Sequence, residues 1–329
     1  MNPFSLAAIR ALMGRGILGM NRRNISYISR YNPRGLFPVV DNKLKTKKLA
    51  MDYGVAVPEL IGVITNQHDV LQVEGLLASR TGFCIKPAKG SGGKGILVIT
   101  RTDEGVYYRS NGQPMGLGDV QRHVSNILAG LFSLGGAVDV AVIEALIEID
   151  PALGEFSHEG VPDLRVIVFR GIPVMAMMRL ASASSHGKAN LHQGAVGVGI
   201  DICTGAAVKA VQREAPITHH PDNGRDLTTL KVPRWSEMLE ISCACADMTG
   251  LGYLGVDLVL DRNQGPTMLE LNARPGLSIQ IANGAGLVPR LRLVEKQRRL
   301  ERLPISQRVA FAQTHFCAVP LAETRAAQG

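Results

Sequence analysis

Two stretches of this sequence combine residue types that could act on a phosphorylated ligand. The first runs from Lys86 to Gly95, where a lysine ends a short apolar run and a glycine-rich segment follows. Glycines let successive backbone N–H groups point at one anion. The order differs from the Walker loop, which needs GxxxxGK[ST] followed by a helix. The pattern therefore predicts a flap between two strands that closes over phosphates; an ordinary glycine turn is the alternative.

The second stretch carries oxygen donors on two neighbouring apolar runs, Asp257 on one, Glu270 and Asn272 on the other. Alternate side chains of a strand share a face, so Glu270 and Asn272 point the same way, and a hairpin brings Asp257 alongside. Mg²⁺ prefers a few such oxygens together with phosphate oxygens, and unpaired buried carboxylates are costly. The pattern predicts a magnesium site; a solvent-facing side of a sheet is the alternative.

Several cations accompany these donors. Arg274 follows Asn272 by two residues, and Arg165 and Arg179 lie on the two strands of one predicted hairpin. A fixed guanidinium can hold a carboxylate or a phosphoryl group through two hydrogen bonds; for Arg179 a simple ion pair is the alternative. The polar segment 188–194 is predicted to be a mobile loop. No serine or cysteine nucleophile beside a histidine can be argued from the sequence.

The elements that position these residues alternate irregularly between strands and helices, with several hairpins, which favours an α+β fold with antiparallel sheets. Residues 14–40 are predicted to be loop, and a boundary between two lobes is expected near residues 134–137. The predicted helices cover residues 3–13, 42–53, 119–132, 235–248 and 288–302. The predicted strands cover residues 83–85, 96–99, 138–143, 164–169, 174–180, 206–211, 254–260 and 267–271.

Composition bounds the function classes. The chain has 329 residues, a formal charge of +8 and 46% hydrophobic residues, which is typical of a globular protein of about two domains. Five scattered cysteines argue against a disulfide scaffold and favour a reducing cytoplasm. Both ends of the chain are basic, so nucleic acid, anionic lipid or a phosphorylated ligand could meet them. Aromatic residues make up 5%, so nucleic acid is not expected to be the partner.

Taken in order, the motifs resemble those of the ATP-grasp superfamily, and most of all its carboxylate–amine ligases of the alpha-L-glutamate ligase-like branch. The resemblance spans roughly residues 36 to 290. The segments that carry it are 42–47, 85–87, 90–95, 163–166, 190–194, 255–257 and 270–276.

The resemblance implies an ATP-grasp fold in which two α+β lobes grip ATP and an N-terminal pre-grasp domain is largely missing. The expected division is a short N-terminal segment (1–40), an N-lobe with the glycine flap and a helical insertion (41–136), a C-lobe with the magnesium site (137–287) and a basic C-terminal helix and tail (288–329). The expected location is the cytoplasm, with peripheral attachment to the inner membrane left open.

The resemblance also implies residue roles. The residues expected to bind the nucleotide are Lys43, Lys86, Gly90, Ser91, Gly92, Gly93, Lys94, Gly95, Glu144, Ala145, Asp163, Lys188, Ala189 and Asn190. The residues expected to take part in catalysis are Arg274, Lys86, Arg165 and Asn190. Asp257, Glu270 and Asn272 are expected to bind Mg²⁺, for which Mn²⁺ could substitute.

The implied reaction forms an amide in two steps: the substrate carboxylate takes the γ-phosphoryl group of ATP to give an acyl phosphate and ADP, and an amine then displaces phosphate. Glutamate or another amino acid would in this way join a peptide or amine acceptor. Such chemistry depends on charge stabilisation and placement rather than on a protein nucleophile. The alternative function is an ATP-binding regulator of a membrane protein that performs no ligation. A homo-oligomeric state also stays open.

Overall fold

The computed structural model describes residues 6–90, 92–185 and 187–318. Its strands are β1 (Leu60–Ile64), β2 (Phe83–Pro87), β3 (Leu97–Asp103), β4 (Val106–Arg109), β5 (Pro114–Met115), β6 (Ala141–Ala145), β7 (Asp163–Phe169), β8 (Ile172–Leu180), β9 (Val196–Ile200), β10 (Ala207–Gln212), β11 (Ala215–Ile217), β12 (Tyr253–Asp261) and β13 (Gly265–Asn272). Its helices are α1 (Leu6–Gly14), α2 (Met20–Arg22), α3 (Ser29–Tyr31), α4 (Phe37–Val40), α5 (Lys43–Asp52), α6 (Val73–Leu77), α7 (Leu117–Leu128), α8 (Pro151–Gly154), α9 (Trp235–Thr249), α10 (Ile279–Asn283), α11 (Val288–Lys296) and α12 (Ile305–His315).

The chain forms two compact units. The smaller unit comprises Asp41–Met51 and Val57–Glu148. The larger unit takes the described residues up to Val40, then Asp52–Ala56, and the described chain from Ile149 onward. The expected boundary between residues 136 and 137 differs from this division, because β6 hydrogen-bonds to β1 and β2 and so belongs to the sheet of the smaller unit.

The smaller unit is built on a six-stranded antiparallel sheet with the order β1-β6-β2-β3-β4-β5. Helix α7 covers it with the apolar face expected from the sequence, since Val120, Val124 and Ile127 are fully buried. The helix ends earlier than expected, at Leu128, and Leu131 beyond it is 67% exposed. The residues 111–112 form the turn between β4 and β5, as the Asn-Gly pair predicts.

The larger unit is built on a seven-stranded sheet with the order β11-β10-β9-β8-β7-β12-β13, whose neighbours all pair antiparallel. Helix α9 packs against β7, β8, β12 and β13, and α12 packs against α9 and β8. The buried Arg308 of α12 donates to the carboxylate of Asp247 on α9, which fixes the two helices together. The predicted α+β class with antiparallel sheets is therefore confirmed.

The segment from residue 14 to residue 40 is not the loop that its glycines, asparagines and prolines predict. Residues 20–31 form a continuous helical run with a π-helical stretch in its middle (Arg23–Ile28), and α4 follows. Tyr27 packs edge-on against Phe169 at 5.5 Å, and Asn32 exchanges two hydrogen bonds with the backbone of Tyr253. The tertiary contacts of these aromatic and amide groups outweigh the weak local helix propensity.

Other elements also differ from expectation. The basic helix predicted over residues 288–302 ends at Lys296, and β1, β9, β11 and α12 were not predicted. Cys203 and Cys317 form a disulfide across 114 residues, for which cysteine count and spacing gave no signal. No helix among the described residues has the length and apolar character that a bilayer crossing requires.

Candidate active site

In the smaller unit, two lysines share one buried carboxylate. One carboxylate oxygen of Glu144 on β6 accepts a hydrogen bond from Lys86 Nζ at 2.6 Å, and Lys47 Nζ lies 3.0 Å from the other carboxylate oxygen. All three side chains are at most 8% exposed. Strand β2 pairs with β6 so that Cys84 lies directly opposite Glu144. Lys86 lies two residues beyond Cys84 and therefore on the same face of the sheet as Glu144. The cluster therefore keeps a net charge of +1 in a buried position.

Burial lowers the pKa of Lys47, and the charge of Lys86 acts in the same direction, whereas Glu144 opposes both. Lys47 also donates to the carbonyl of Pro58, which satisfies a second proton of its ammonium group. Lys43 and Lys86 were both expected to bind the nucleotide, whereas Lys47 was not among the expected residues. The signal was present, because residues 43 and 47 are one helical turn apart and so share a face of α5.

Lys43 instead reaches the glycine-rich loop. Its Nζ donates to the Gly90 carbonyl at 2.7 Å, and its backbone N–H donates to Ala88. Lys43 thus ties the start of α5 to the beginning of the loop. Ser91, expected to bind nucleotide, lies outside the described residues.

The loop between β2 and β3 has the backbone that its glycines predict. Gly92, Gly93 and Gly95 all have positive φ angles of 63° to 74°, and Gly92 through Lys94 are exposed. This is a conformation that non-glycine residues adopt at a cost of about 1 kcal/mol or more. The exposed tip is free of side-chain contacts at Gly92 and Gly93, where an added Cβ would have no neighbour within 4 Å.

The base of this loop is fixed by Asp139, which was not among the expected site residues. The buried Asp139 accepts from the backbone N–H of Lys89 and of Val140 and from the hydroxyl of Ser133, at 2.5 to 3.1 Å. At the far end, the ring of His123 on α7 lies 3.0 Å from the Gly95 carbonyl. Asp139, just before β6, and His123 of α7 therefore hold the two ends of a glycine-rich loop whose tip is exposed.

In the larger unit, charged side chains form a row across one face of the sheet. Asp257 lies opposite Arg165 on β7 and opposite Glu270 on β13. Residues directly opposite each other on antiparallel strands have their side chains on the same face of the sheet. Asn272 lies two residues beyond Glu270 and therefore shares this face as well. The predicted grouping of Asp257, Glu270 and Asn272 on one face follows from this register.

The row contains a buried network of two arginines and two aspartates. Arg165 donates through Nε and Nη2 to the two oxygens of Asp257 at 2.7 and 2.6 Å. Arg179 on β8 bridges Asp257, at 2.8 Å, and Asp163. Both carboxylates of the network are therefore paired with guanidinium groups, which is the usual condition for burying them.

The two aspartates titrate differently. Burial raises the pKa of Asp163 to about 6, an effect that the guanidinium of Arg179 only partly opposes and that the charge of Asp257 increases. Burial would also raise the pKa of Asp257, but Arg165 and Arg179 outweigh it and lower the value to about 2. Among the described residues, Oδ1 of Asp163 is buried without a hydrogen-bond partner. A ligand hydroxyl or ammonium group would satisfy it.

The oxygen donors expected to bind metal differ in access. Glu270 and Asn272 are half-buried, whereas Asp257 is 3% exposed and its oxygens already accept from arginines. The Asn272 side-chain oxygen accepts from the backbone N–H of Arg274 at 2.8 Å. No cluster of three or more His, Cys, Asp or Glu side chains suited to a metal ion occurs within the described ranges. Two carboxylates and an amide fit Mg²⁺, which completes its shell with water and phosphate.

Of the remaining predicted residues, all but Ala145 lie in loops of the larger unit or at its surface. The exposed Arg274 has its guanidinium carbon 4.8 Å from the centre of the Phe37 ring on α4. Asn190 accepts from the backbone N–H of His192 at 3.0 Å and so caps a short 3-10 turn. Lys188 is exposed and Ala189 is half-buried in the same loop, while Ala145 ends β6 in the smaller unit.

The two antiparallel sheets, the glycine-rich loop after a lysine-bearing strand and the row of acidic and basic residues define an ATP-grasp protein. Within that class, the chain matches the family described as sugar-transfer associated ATP-grasp over residues 22–296. Since this match covers most of its length, the chain belongs to that family. It has no significant match among curated proteins.

Solved structures with a similar chain course include three ligases or synthetases. The ATP-grasp ligase PsnB, solved with its minimal precursor, is 14% identical over 86% of this chain with a TM-score of 0.44, and this chain spans only 63% of its length. The D-cycloserine synthetase DcsG is 15% identical over 85% of this chain and 73% of its own, with a TM-score of 0.44. D-alanine–D-alanine ligase from Bacillus anthracis is 14% identical over 88% of this chain and 69% of its own, with a TM-score of 0.44.

Proposed function

We propose that this chain is an ATP-dependent carboxylate–amine ligase that works through an acyl phosphate. Membership of an ATP-grasp family supports the use of ATP. The observation that carries the proposal is the row on the larger sheet, where hard oxygen donors on β13 adjoin two guanidinium groups held by buried aspartates. Phosphoryl transfer depends on positioned cations and a metal rather than on a protein nucleophile, and this row offers that combination.

For the nucleotide, we propose that Lys86 and Lys47 provide the fixed positive charge for phosphate oxygens. Glu144 orients both lysines while leaving the cluster with one excess positive charge. The glycine-rich loop 90–95, which is exposed at residues 92–94, closes over the outer phosphates with its backbone N–H groups, and Lys43 and Lys94 lie at the two ends of this loop. Ala145 at the end of β6 adjoins the adenine, and the unpartnered oxygen of Asp163 accepts from a ribose hydroxyl.

For the metal, we propose Glu270 and Asn272 as the accessible ligands of Mg²⁺, or of Mn²⁺, which shares its preference for oxygen. Asp257 is the third donor, and it shares its carboxylate with Arg165 and Arg179. When bound, the metal would neutralise charge on the transferring phosphoryl group. Because Arg165 and Arg179 lower the pKa of Asp257 to about 2, this carboxylate is ionised across the physiological pH range.

The chain's own residues would then act in two steps. A substrate carboxylate attacks the γ-phosphorus of ATP, which forms an acyl phosphate and releases ADP. An amine next attacks the acyl carbon and expels phosphate, which forms the amide and releases a proton. Arg274 and Arg165 hold the carboxylate and the acyl phosphate, Lys86 stabilises the phosphoryl oxygens, and Asn190 with Lys188 and Ala189 closes the site against water.

For the substrates, we propose an amino acid, with glutamate as the first candidate, and an amine or peptide acceptor, as in the alpha-L-glutamate ligase-like branch. The family description also associates the chain with sugar transfer. Amino sugars therefore belong among the acceptors to be tested.

A second candidate function is nucleotide binding without ligation, in the service of a membrane-protein partner. One observation favours it: both oxygens of Asp257 accept hydrogen bonds from arginines, and metal binding through Asp257 would compete with those bonds. This function predicts ATP binding that shows no dependence on an acid or an amine.

The deciding experiment measures ADP release with Mg·ATP against a panel of amino acids combined with peptide, amine and amino-sugar acceptors. Turnover that requires both an acid and an amine supports the ligase. Nucleotide binding by calorimetry without such turnover supports the second candidate.

The metal assignment is tested with Glu270→Gln and a matched control, Glu214→Gln, an exposed glutamate in the turn between β10 and β11. We expect the first variant to lose about 10²–10³-fold in turnover, the usual effect of removing one group that stabilises transition-state charge. The control should match the unmodified protein. Undiminished turnover of Glu270→Gln would exclude the metal site proposed here.

A further inference from the structure

The two basic ends of the sequence meet on one surface of the larger unit. The backbone N–H of Val288 donates to the Gly16 carbonyl at 3.0 Å, and that of Leu18 donates to Gln280 at 2.8 Å. The hydroxyl of Tyr31 donates to Glu295 at 2.9 Å. Residues 16–31, which follow α1, are therefore docked along α10 and α11.

This docked segment has one sign of charge. Residues 1–40 contain no aspartate or glutamate. The arginines of this segment are exposed or half-buried except Arg23, which is buried and donates to the Pro275 carbonyl. The exposed or half-buried arginines are Arg10, Arg15, Arg22, Arg30 and Arg34.

Helix α11 and the residues after it add cations to the same surface. Arg292, Lys296, Arg298 and Arg299 are exposed. Burial raises the pKa of Tyr27, and the charge of Glu295 acts in the same direction. The charges of Arg22 and Arg292 both lower this pKa, so the two arginines lie near the Tyr27 hydroxyl. Glu295 lies between the two elements and faces Arg30 at 4.0 Å.

Large apolar side chains are exposed among these arginines. Leu12 is 49% exposed, Met13 66%, Met20 65% and Ile25 71%. Soluble surfaces expose single apolar residues routinely, but here four such residues lie within fourteen consecutive positions of a segment that is rich in arginine and has no aspartate or glutamate. We call the five arginines and these four apolar residues the arginine–apolar surface.

We propose that the arginine–apolar surface binds the face of an anionic lipid bilayer. Insertion of apolar side chains at the headgroup boundary and attraction of arginines to lipid phosphates both add to the strength of binding to an anionic membrane. Guanidinium groups bind phosphate through two hydrogen bonds. A nucleic acid would use the arginines but would leave the exposed leucine, methionines and isoleucine in water, because its affinity comes mainly from phosphate contacts.

The test uses the full chain and sedimentation with vesicles of phosphatidylcholine, alone or mixed with phosphatidylglycerol. We expect binding to the mixed vesicles, partly lost in high salt through screening. Arg10→Gln with Arg15→Gln should weaken binding about 25-fold, from about fivefold for each cation near the membrane. Leu12→Ser with Met13→Ser should also release the protein.

Two control variants, one double and one single, match the changes in type. Arg262→Gln with Lys231→Gln removes two exposed cations elsewhere on the larger unit, and Leu71→Ser removes a 73% exposed leucine of the smaller unit. Circular dichroism and the melting temperature check that every variant is folded, and since the substituted side chains are exposed, we expect no change in either.

Three outcomes would overturn the proposal. One is equal binding to neutral and mixed vesicles, or none to either. Another is equal loss of binding in the control variants. The third is a duplex DNA that binds as tightly as the mixed vesicles and depends on Arg10 and Arg15 but not on Leu12 and Met13, which would identify a nucleic-acid surface instead.

Discussion

The strongest test of the candidate site is the removal of one negative charge, that of Glu144. The change Glu144→Gln keeps the shape of the side chain and leaves Lys47 and Lys86 side by side in a buried position. At the observed distances of 2.6 and 3.0 Å, Coulomb's law with an effective dielectric of about 20 gives roughly 6 kcal/mol for each contact. Desolvation of the charges offsets part of this, and breaking a buried pair typically costs about 3–5 kcal/mol.

We therefore expect Glu144→Gln to lower the free energy of unfolding by about 3–5 kcal/mol, measured by urea denaturation followed by circular dichroism. Glu74→Gln, an exposed glutamate of α6, is the matched control and should stay within about 0.5 kcal/mol of the unmodified protein.

A double-mutant cycle separates the charge effect from lost packing. Lys47→Met alone leaves the pair of Glu144 and Lys86 balanced, so its cost should be small. In the Glu144→Gln background the same change removes a like-charge repulsion and should restore part of the lost stability. If Glu144→Gln lies within about 1 kcal/mol of the unmodified protein, or if the two changes are additive, the reasoning about a buried charged cluster is refuted.

Two further predictions concern the acidic network and the glycine loop. The pKa of Asp163 is raised to about 6 in the folded chain, compared with a pKa near 4 in the unfolded chain. The contribution of this group to stability is therefore fully present below pH 4 and is lost as the pH rises through 6. The free energy of unfolding of Asp163→Asn, relative to that of the unmodified protein, should accordingly rise by about 2 kcal/mol between pH 4 and pH 7. A difference in unfolding free energy between Asp163→Asn and the unmodified protein that does not vary with pH would contradict the raised pKa of Asp163. Gly95→Ala should destabilise by about 2–4 kcal/mol, from the positive φ angle and from overlap of the new methyl group with the Phe132 ring. Gly92→Ala has a similar φ angle and open space, so its cost should be only about 1 kcal/mol, and equal costs for the two variants would show that the contact with Phe132 is unimportant.

Local chemistry made much of the fold predictable. The alternation of Glu270 and Asn272 and the turn-forming residues 262–265 were sufficient to predict the β12–β13 hairpin and the shared face of its acidic side chains. The apolar spacing of Val120, Val124 and Ile127 likewise predicted the buried face of α7. These features depend on residues a few positions apart, which the sequence displays directly.

Contacts between distant segments were not predictable in this way. The register of β7 against β12 joins Arg165 to Asp257, 92 residues later, and it determines that the predicted metal ligand is also an arginine partner. The choice of Lys47 rather than Lys43 as the neighbour of Lys86 depends on how α5 packs against β6. The roles of the individual site residues remain predictions.

The sequence by itself determined the class of fold, the glycine-rich loop and the donors of the charged row, because periodicity, turn residues and backbone freedom are properties of short segments. Only the tertiary structure decided which charges neutralise one another, that residues 20–31 are helical, and that the basic ends of the chain share a surface. The physical reason is that burial and Coulomb interactions depend on distance in space, and antiparallel pairing and helix docking bring together groups that lie tens to hundreds of residues apart.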